Sequence, residues 1–267
     1  MDIERLRKIM EYSNSHRDEI ALKVRKFYAF SDMSSDTEVI NIMQIARSAF
    51  QKKGYLIFEM PLSDKEIGAL CYKGDALGYI MLNSSLPRVN INFAVCHELY
   101  HVFYQENEFG SKVEFAIDKY YGEEELAANL FAGMLLMPEV SFRSMYKKFK
   151  GESENREMHI LIRLMNYYQV PYMAVLIRCI ELNLLNSDIY LDDLLNIDYQ
   201  CIRSVFADLW LDESILDATK KDDYVRIQKL VNDLGNRYIE NDYINKRTMQ
   251  KVLRNMEKLY LEIKGES

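Results

Sequence analysis

Two histidines four residues apart, with a glutamate between them, constrain this chain more than anything else in it: His97-Glu98-Leu99-Tyr100-His101. Apolar residues surround them, with Phe93, Ala94, Val95, Val102 and Phe103. Such flanks predict a buried helix from about Asn90 to Gln105. On a helix, positions i and i+4 share one face, one turn apart. Both imidazoles can then reach a single metal ion at about 2.0–2.1 Å. Glu98, one residue past the first histidine, can reach a water on that metal without itself binding the metal. Zinc lowers the pKa of such a water to about 7, and a carboxylate can take its proton. The competing reading is a helix whose two histidines are hydrogen-bonded packing residues.

A catalytic zinc needs a third protein ligand and an open position. The remaining histidines, His16 and His159, each stand alone without a partner at i+4, and read as surface or capped side chains. A better source is the run Glu123-Glu124-Glu125-Leu126-Ala127-Ala128-Asn129, which opens a helix predicted to end at Leu136. Three glutamates at a helix start also have a plain reading as a solvated N-terminal turn. Their helical faces tell them apart. Glu125 shares its face with Ala128, Asn129, Ala132 and Gly133, small residues that let another helix approach closely. Glu123 and Glu124 share theirs with Leu130, Phe131, Met134 and Leu135, which suit a core. Glu125 is therefore the first choice as third ligand, and Glu124 the next.

Residues 2–29 carry apolar side chains at helical spacing and predict one or two helices. A further helix starts near Ser35-Asp36 and stops at Gly54. Tyr55–Met60, Ile67–Tyr72 and Leu77–Leu82 read as strands, the last two joined by a turn at Lys73-Gly74-Asp75-Ala76. The helix bearing the two histidines leads into a loop of about fifteen residues, with a short strand at Val113–Ile117. The polar stretch Gly151–Asn155 is a candidate boundary. Beyond it the pattern is helical, with a hairpin turning at Val170-Pro171. Residues 188–223 carry ten Asp and Glu against three Lys and Arg, and two amphipathic helices come after them. The expected fold is α+β and mostly helical. A small, mainly antiparallel sheet packs on the His helix and the Glu helix, with a helical region C-terminal to them. The expected division is a metallopeptidase domain over 1–150, a helix-turn-helix-like hairpin over 151–187 and a helical extension over 188–267.

The net charge of −7 and pI near 5.3 argue against a broad nucleic-acid-binding face. Cys71, Cys96, Cys179 and Cys201 show no CxxC pair, so they predict neither a thiolate zinc site nor a disulfide framework. No signal-like apolar segment comes after Met1, and no apolar run is long enough to span a bilayer. These features lead us to expect a cytoplasmic protein without membrane association.

The stretch Phe93–His101, with Glu125-Leu126-Ala127-Ala128-Asn129-Leu130-Phe131-Ala132-Gly133-Met134-Leu135-Leu136-Met137-Pro138 downstream of it, resembles the ImmA/IrrE metallopeptidases, reduced relatives of the thermolysin-like gluzincins. The hairpin around Val170-Pro171-Tyr172 resembles a segment C-terminal to their core, so the likeness covers roughly residues 1–185. It implies that Zn2+ is held by His97, His101 and Glu125, with Glu98 as general base. Asn129 would orient a ligand histidine from behind, or else serve as a packing amide. One departure is Tyr100, where the family usually has glycine. Tyr100 and Tyr104 could steady an oxyanion, although packing is the plainer role for each. The resemblance further implies a protein substrate such as a helix-turn-helix repressor, in the setting of mobile elements or stress responses. Two rival functions have other signatures. A non-cleaving regulator that docks on a transcription factor would use the zinc structurally and have no need of Glu98. A DNA-binding regulator would use the Val170-Pro171 hairpin.

Overall fold

The computed structural model describes residues 1–34, 41–74, 78–105, 122–153, 156–185 and 191–265. The expected start at Ser35-Asp36, the tip of the turn at Asp75-Ala76 and the segment with Val113–Ile117 lie outside these residues.

The chain is mostly helical, as its periodicity predicts. Helix α1 (Ile3–Phe30) is one continuous helix rather than two, capped by the Asp2 carboxylate accepting from the Arg5 amide at 2.8 Å. Leu6, Ile20, Val24, Phe27 and Tyr28 form its buried stripe. Helix α2 (Ile42–Lys52) ends just before Gly54, whose φ of +81° is the left-handed conformation that glycine adopts without strain. Next come three strands: β1 (Tyr55–Met60), β2 (Ala69–Lys73) and β3 (Gly78–Asn83).

The strands are those expected, but their pairing differs. The sheet order is β1-β3-β2, with β1 parallel to β3 and β2 antiparallel to β3. The sheet is therefore mixed rather than mainly antiparallel. Alternation of apolar residues marks strands but carries no information about direction. The direction is set by how residues 61–68 are tied down. Asn83, fully buried at the end of the central strand, accepts from the Leu62 and Ser85 amides at 3.1 Å each. Its amide nitrogen donates to the Asp64 and Ile67 carbonyls at 2.9 and 2.8 Å. One side chain thus satisfies three groups of the connection that carries the chain past β3 to its far edge, and one more in the turn after β3.

Helix α3 (Arg88–Tyr104) bears the two histidines and α4 (Glu123–Leu136) bears the glutamates. They pack on each other where Tyr100 and Tyr104 of α3 meet Phe131 of α4, with the buried Ala128 and Ala132 on the same side of α4 as Glu125. Helix α1 lies against α4, where Phe27 makes edge contacts with Phe103 and Phe131. The next helices are α5 (Glu139–Glu152), α6 (Glu157–Tyr168) and α7 (Tyr172–Glu181). No single described helix is long and apolar enough to cross a membrane, although α6 and α7, bent by 110° across Gln169–Pro171, reach that length and apolarity together. That angle is typical of a helix-turn-helix. Yet none of the ten residues of α7 is exposed, so it has no face to offer a DNA groove.

The C-terminal part holds α8 (Leu191–Leu195), α9 (Tyr199–Asp208), a 3-10 turn at Glu213–Leu216, then α10 (Tyr224–Glu240) and α11 (Lys246–Lys264). The strap 217–223 between the turn and α10 is stitched to the sheet. The Lys220 amide donates to the Ser84 carbonyl at 2.9 Å, and Pro87 bridges Ala218. The Asp223 amide donates to the Glu59 carbonyl at 2.8 Å, and the Glu59 amide donates to the Asp223 carboxylate at 2.9 Å. The Glu59 side chain in turn pairs with Arg47 and with Lys221.

Candidate metal centre and cleft

The helix of α3 sets His97 and His101 on one face, and packing against α4 brings Glu125 to the same point. The two Nε2 atoms lie 2.9 Å apart. His97 Nε2 is 3.1 Å from one Glu125 oxygen, and His101 Nε2 is 3.5 Å from the other. One ligand atom from each residue lies within 4.8 Å of the other two. Ligands about 2.0–2.1 Å from a tetrahedral ion stand about 3.3 Å from one another, so this triangle has the size such an ion needs.

The far nitrogens of the imidazoles decide what the near ones can do. His97 Nδ1 is 3.1 Å from the Asn129 amide oxygen, which can only accept. His101 Nδ1 is 2.7 Å from the Gln105 amide oxygen. Each Nδ1 therefore donates to an amide oxygen, which fixes the ring and turns each Nε2 toward the shared point. The set of two nitrogens and one oxygen suits zinc.

Glu124 is not in this triangle. It accepts from the Gln105 amide nitrogen at 2.6 Å, so it steadies His101 through an intermediary. Gln105 was not anticipated from the sequence, although its place four residues after His101, on the same helical face, was available as a signal. His16 stacks on Tyr12 at the surface, and His159 lies elsewhere with its pKa lowered by burial and by Arg156 and Arg163. Tyr100 and Tyr104 have their hydroxyls taken up by Lys23, while the Tyr100 ring lies edge-on to His101 at 6.0 Å. The Lys23 ammonium donates to the Tyr100 hydroxyl at 3.0 Å, and the Tyr104 hydroxyl donates to the Lys23 carbonyl at 2.7 Å. Both rings pack between Lys23 of α1 and Phe131 of α4.

Burial raises the pKa of Glu98, while His101 and His97 pull it back down. Such a carboxyl is a better proton acceptor than an exposed one. Burial also opposes charge on His97 and on Glu125. Their mutual attraction outweighs it, leaving His97 more basic and Glu125 more acidic than usual.

A cleft of about 380 Å³ opens over these groups, lined by His97, Glu98 and Glu125 on one side and by Ile67, Gly68 and Leu70 on the other. Gly68 lets the chain entering β2 pass close to α3, since a Cβ there would sit 3.1 Å from that of Ala94. β2 is an edge strand, and among the described residues it pairs only with β3. A second, mainly apolar pocket of about 280 Å³ adjoins the cleft, sharing Arg5, Phe93, Asn129 and Pro171 with it and reaching Met173 and Ile177 of α7.

Residues 50–179 match the model of the IrrE N-terminal-like domain, the M78 peptidase family. No curated protein and no solved structure matches the chain significantly.

Proposed function

Since this chain belongs, through residues 50–179, to the IrrE N-terminal-like family of M78 peptidases, we propose that it is a zinc-dependent endopeptidase that cuts a partner regulatory protein, such as a repressor. The observation that carries this reading is the meeting of His97 Nε2, His101 Nε2 and a Glu125 oxygen, with both Nδ1 atoms tied back by amide oxygens. These three side chains would hold the metal. A zinc ion there supplies Lewis acidity to water and to the scissile carbonyl. Glu98 takes a proton from the attacking water, whose oxygen bonds to the carbonyl carbon. Glu98 then gives that proton to the leaving amine nitrogen as the C–N bond breaks.

The substrate segment would lie extended along the free edge of β2, which supplies backbone donors and acceptors beside Glu98. The adjoining apolar pocket fits one large apolar side chain next to the scissile bond. Asn129 and Gln105 are positioning residues that act through the histidines. The expected units remain 1–150 for catalysis, 151–187 as a packed helical hairpin and 188–267 as an extension. Four free cysteines, two of them fully buried, fit the reducing cytoplasm.

The test compares new protein N-termini in host cells expressing either the wild type or Glu98→Gln. A fragment found only with the wild type establishes proteolysis and names the substrate. An unchanged set of N-termini, with zinc bound by both proteins, would mean that the chain docks on its partner without cutting it.

A further inference from the structure

Helices α10 and α11 are strongly amphipathic, yet between them only Gly235 and Met249 are buried. These two residues mark the closest approach of the helices, because a Cβ on Gly235 would overlap the Met249 side chain. Tyr224 and Tyr260, stacked at 3.8 Å, mark a second point on the same contact line. From that line the remaining apolar residues can be placed at about 100° per residue. On α10, Ile227, Leu230, Leu234 and Tyr238 fall to one side. On α11, Val252, Met256 and Leu259 do so too. The helices run antiparallel through the short link 241–245, so those two sides coincide. They make one apolar groove along the hairpin. It is open to solvent: Leu230 is 43% exposed, Leu234 42%, Val252 44% and Leu259 56%.

The charge of this hairpin is opposite to that of the rest of the molecule. Residues 224–265 carry nine Lys and Arg against five Asp and Glu, in a chain of net charge −7. Arg237 and Lys251 fall at the outer margins of the groove, and so does Lys258, which pairs there with Glu262 at 3.5 Å. The hairpin is also joined to the cleft. The Ser63 amide donates to the Ile263 carbonyl at 2.8 Å. Ser63 lies in the connection that goes on to supply Ile67, Gly68 and Leu70 to the cleft wall.

We propose that the groove between α10 and α11 docks an acidic amphipathic helix of the protein substrate, completing a three-helix bundle and delivering the adjoining chain to the cleft. Two helices leave half of each apolar stripe in water, and a third helix covers both halves at once. Cationic margins select acidic flanks on that helix and repel basic ones. The proposal rests on the peptidase reading for what is delivered, but not for the docking itself.

Binding can therefore be read without catalysis. The full-length protein is titrated into a fluorescent synthetic helix of about 18 residues, with Leu at i, i+3, i+4 and i+7 and Glu at the flanking positions. A second helix carries Lys in place of Glu, and vesicles containing phosphatidylserine form a third arm. The acidic helix should bind at least about tenfold more tightly than the basic one, and less tightly as salt rises. Leu230→Glu with Leu234→Glu should weaken it about tenfold or more. Should that double variant unfold the hairpin, Arg237→Glu with Lys251→Glu reverses the margin and should invert the preference between the two helices. Glu98→Gln should bind the acidic helix as the wild type does, which separates this result from the fate of the peptidase reading. Equal affinity for both helices, or affinity for neither, would overturn the proposal. So would tighter binding to the vesicles, or self-association that the double variant abolishes.

Discussion

His97 and His101 matter less for being four residues apart than for what holds their far nitrogens. A histidine free to flip offers either nitrogen, and a metal must then select the ring orientation at the moment of binding. Asn129 and Gln105 remove that choice in advance. Asn129→Ala and Gln105→Ala should each lower zinc affinity by about 10–100-fold, as measured by competition with a chromophoric chelator. Glu124→Ala, one step further back, should have a smaller effect. Glu98→Gln should keep its zinc and lose about 10²–10⁴ in cleavage rate, since it removes the proton acceptor and none of the ligand triangle. A Glu98→Gln protein that cleaved as fast as the wild type would remove Glu98 from the mechanism. Both carboxamide partners illustrate how much of a site is legible. Asn129 lies one turn after Glu125 on the same helical face and could be named from the sequence. Gln105 is an ordinary residue at a helix end, and only its 2.7 Å contact identifies its work.

At the scale of elements, the cleft depends on three fits. The first is the α3–α4 contact, where the small Ala128 and Ala132 lie on the Glu125 face of α4. The second is the aromatic wedge of Phe27, Phe103 and Phe131 that fixes α1 against both. Phe131 is fully buried, and Phe131→Ala should cost about 3–5 kcal/mol in urea unfolding, enough to disturb the site from behind. The third is the close passage of Gly68 by Ala94. Gly68→Val should push β2 away from α3, raising KM for a protein substrate while zinc stoichiometry stays unchanged. An unchanged KM would mean that the edge strand takes no part in binding. The helix boundaries near the site were readable to within one or two residues, since buried helices announce themselves by period. The mixed sheet was not. Its direction is decided by Asn83 and the connection it gathers, and these contacts span up to 21 residues.

Across the whole molecule, the strap 217–223 joins a C-terminal helical region to the sheet that forms one wall of the cleft. Asp223 and Glu59 bond each other's amides or carbonyls, while Arg47 and Lys221 close on the Glu59 carboxylate. Asp223→Ala leaves the buried Glu59 amide without its acceptor. It should cost about 1–3 kcal/mol and make residues 217–265 more sensitive to limited proteolysis. Unaltered melting and proteolysis would show that the strap is held by its other bonds alone. The apolar groove of α10 and α11 belongs to this scale too, because among the described residues nothing buries Leu230, Leu234, Val252 and Leu259.

The placement of the candidate site is written in local sequence. Residue identity and helical period place His97, Glu98 and His101 on one turn of one helix. Composition at Glu125 and after it marks the helix that must lie against them. Those are local facts, because the α-helix repeats every 3.6 residues regardless of its surroundings. Tertiary structure alone decided which way β1 runs beside β3, which amide orients His101, and that the charged tail is bound to the rim of the cleft. Each of these is a contact between residues far apart in the chain or a choice among equivalent donors. Their energies come from burial and hydrogen bonding in the assembled core, not from the preferences of any single segment.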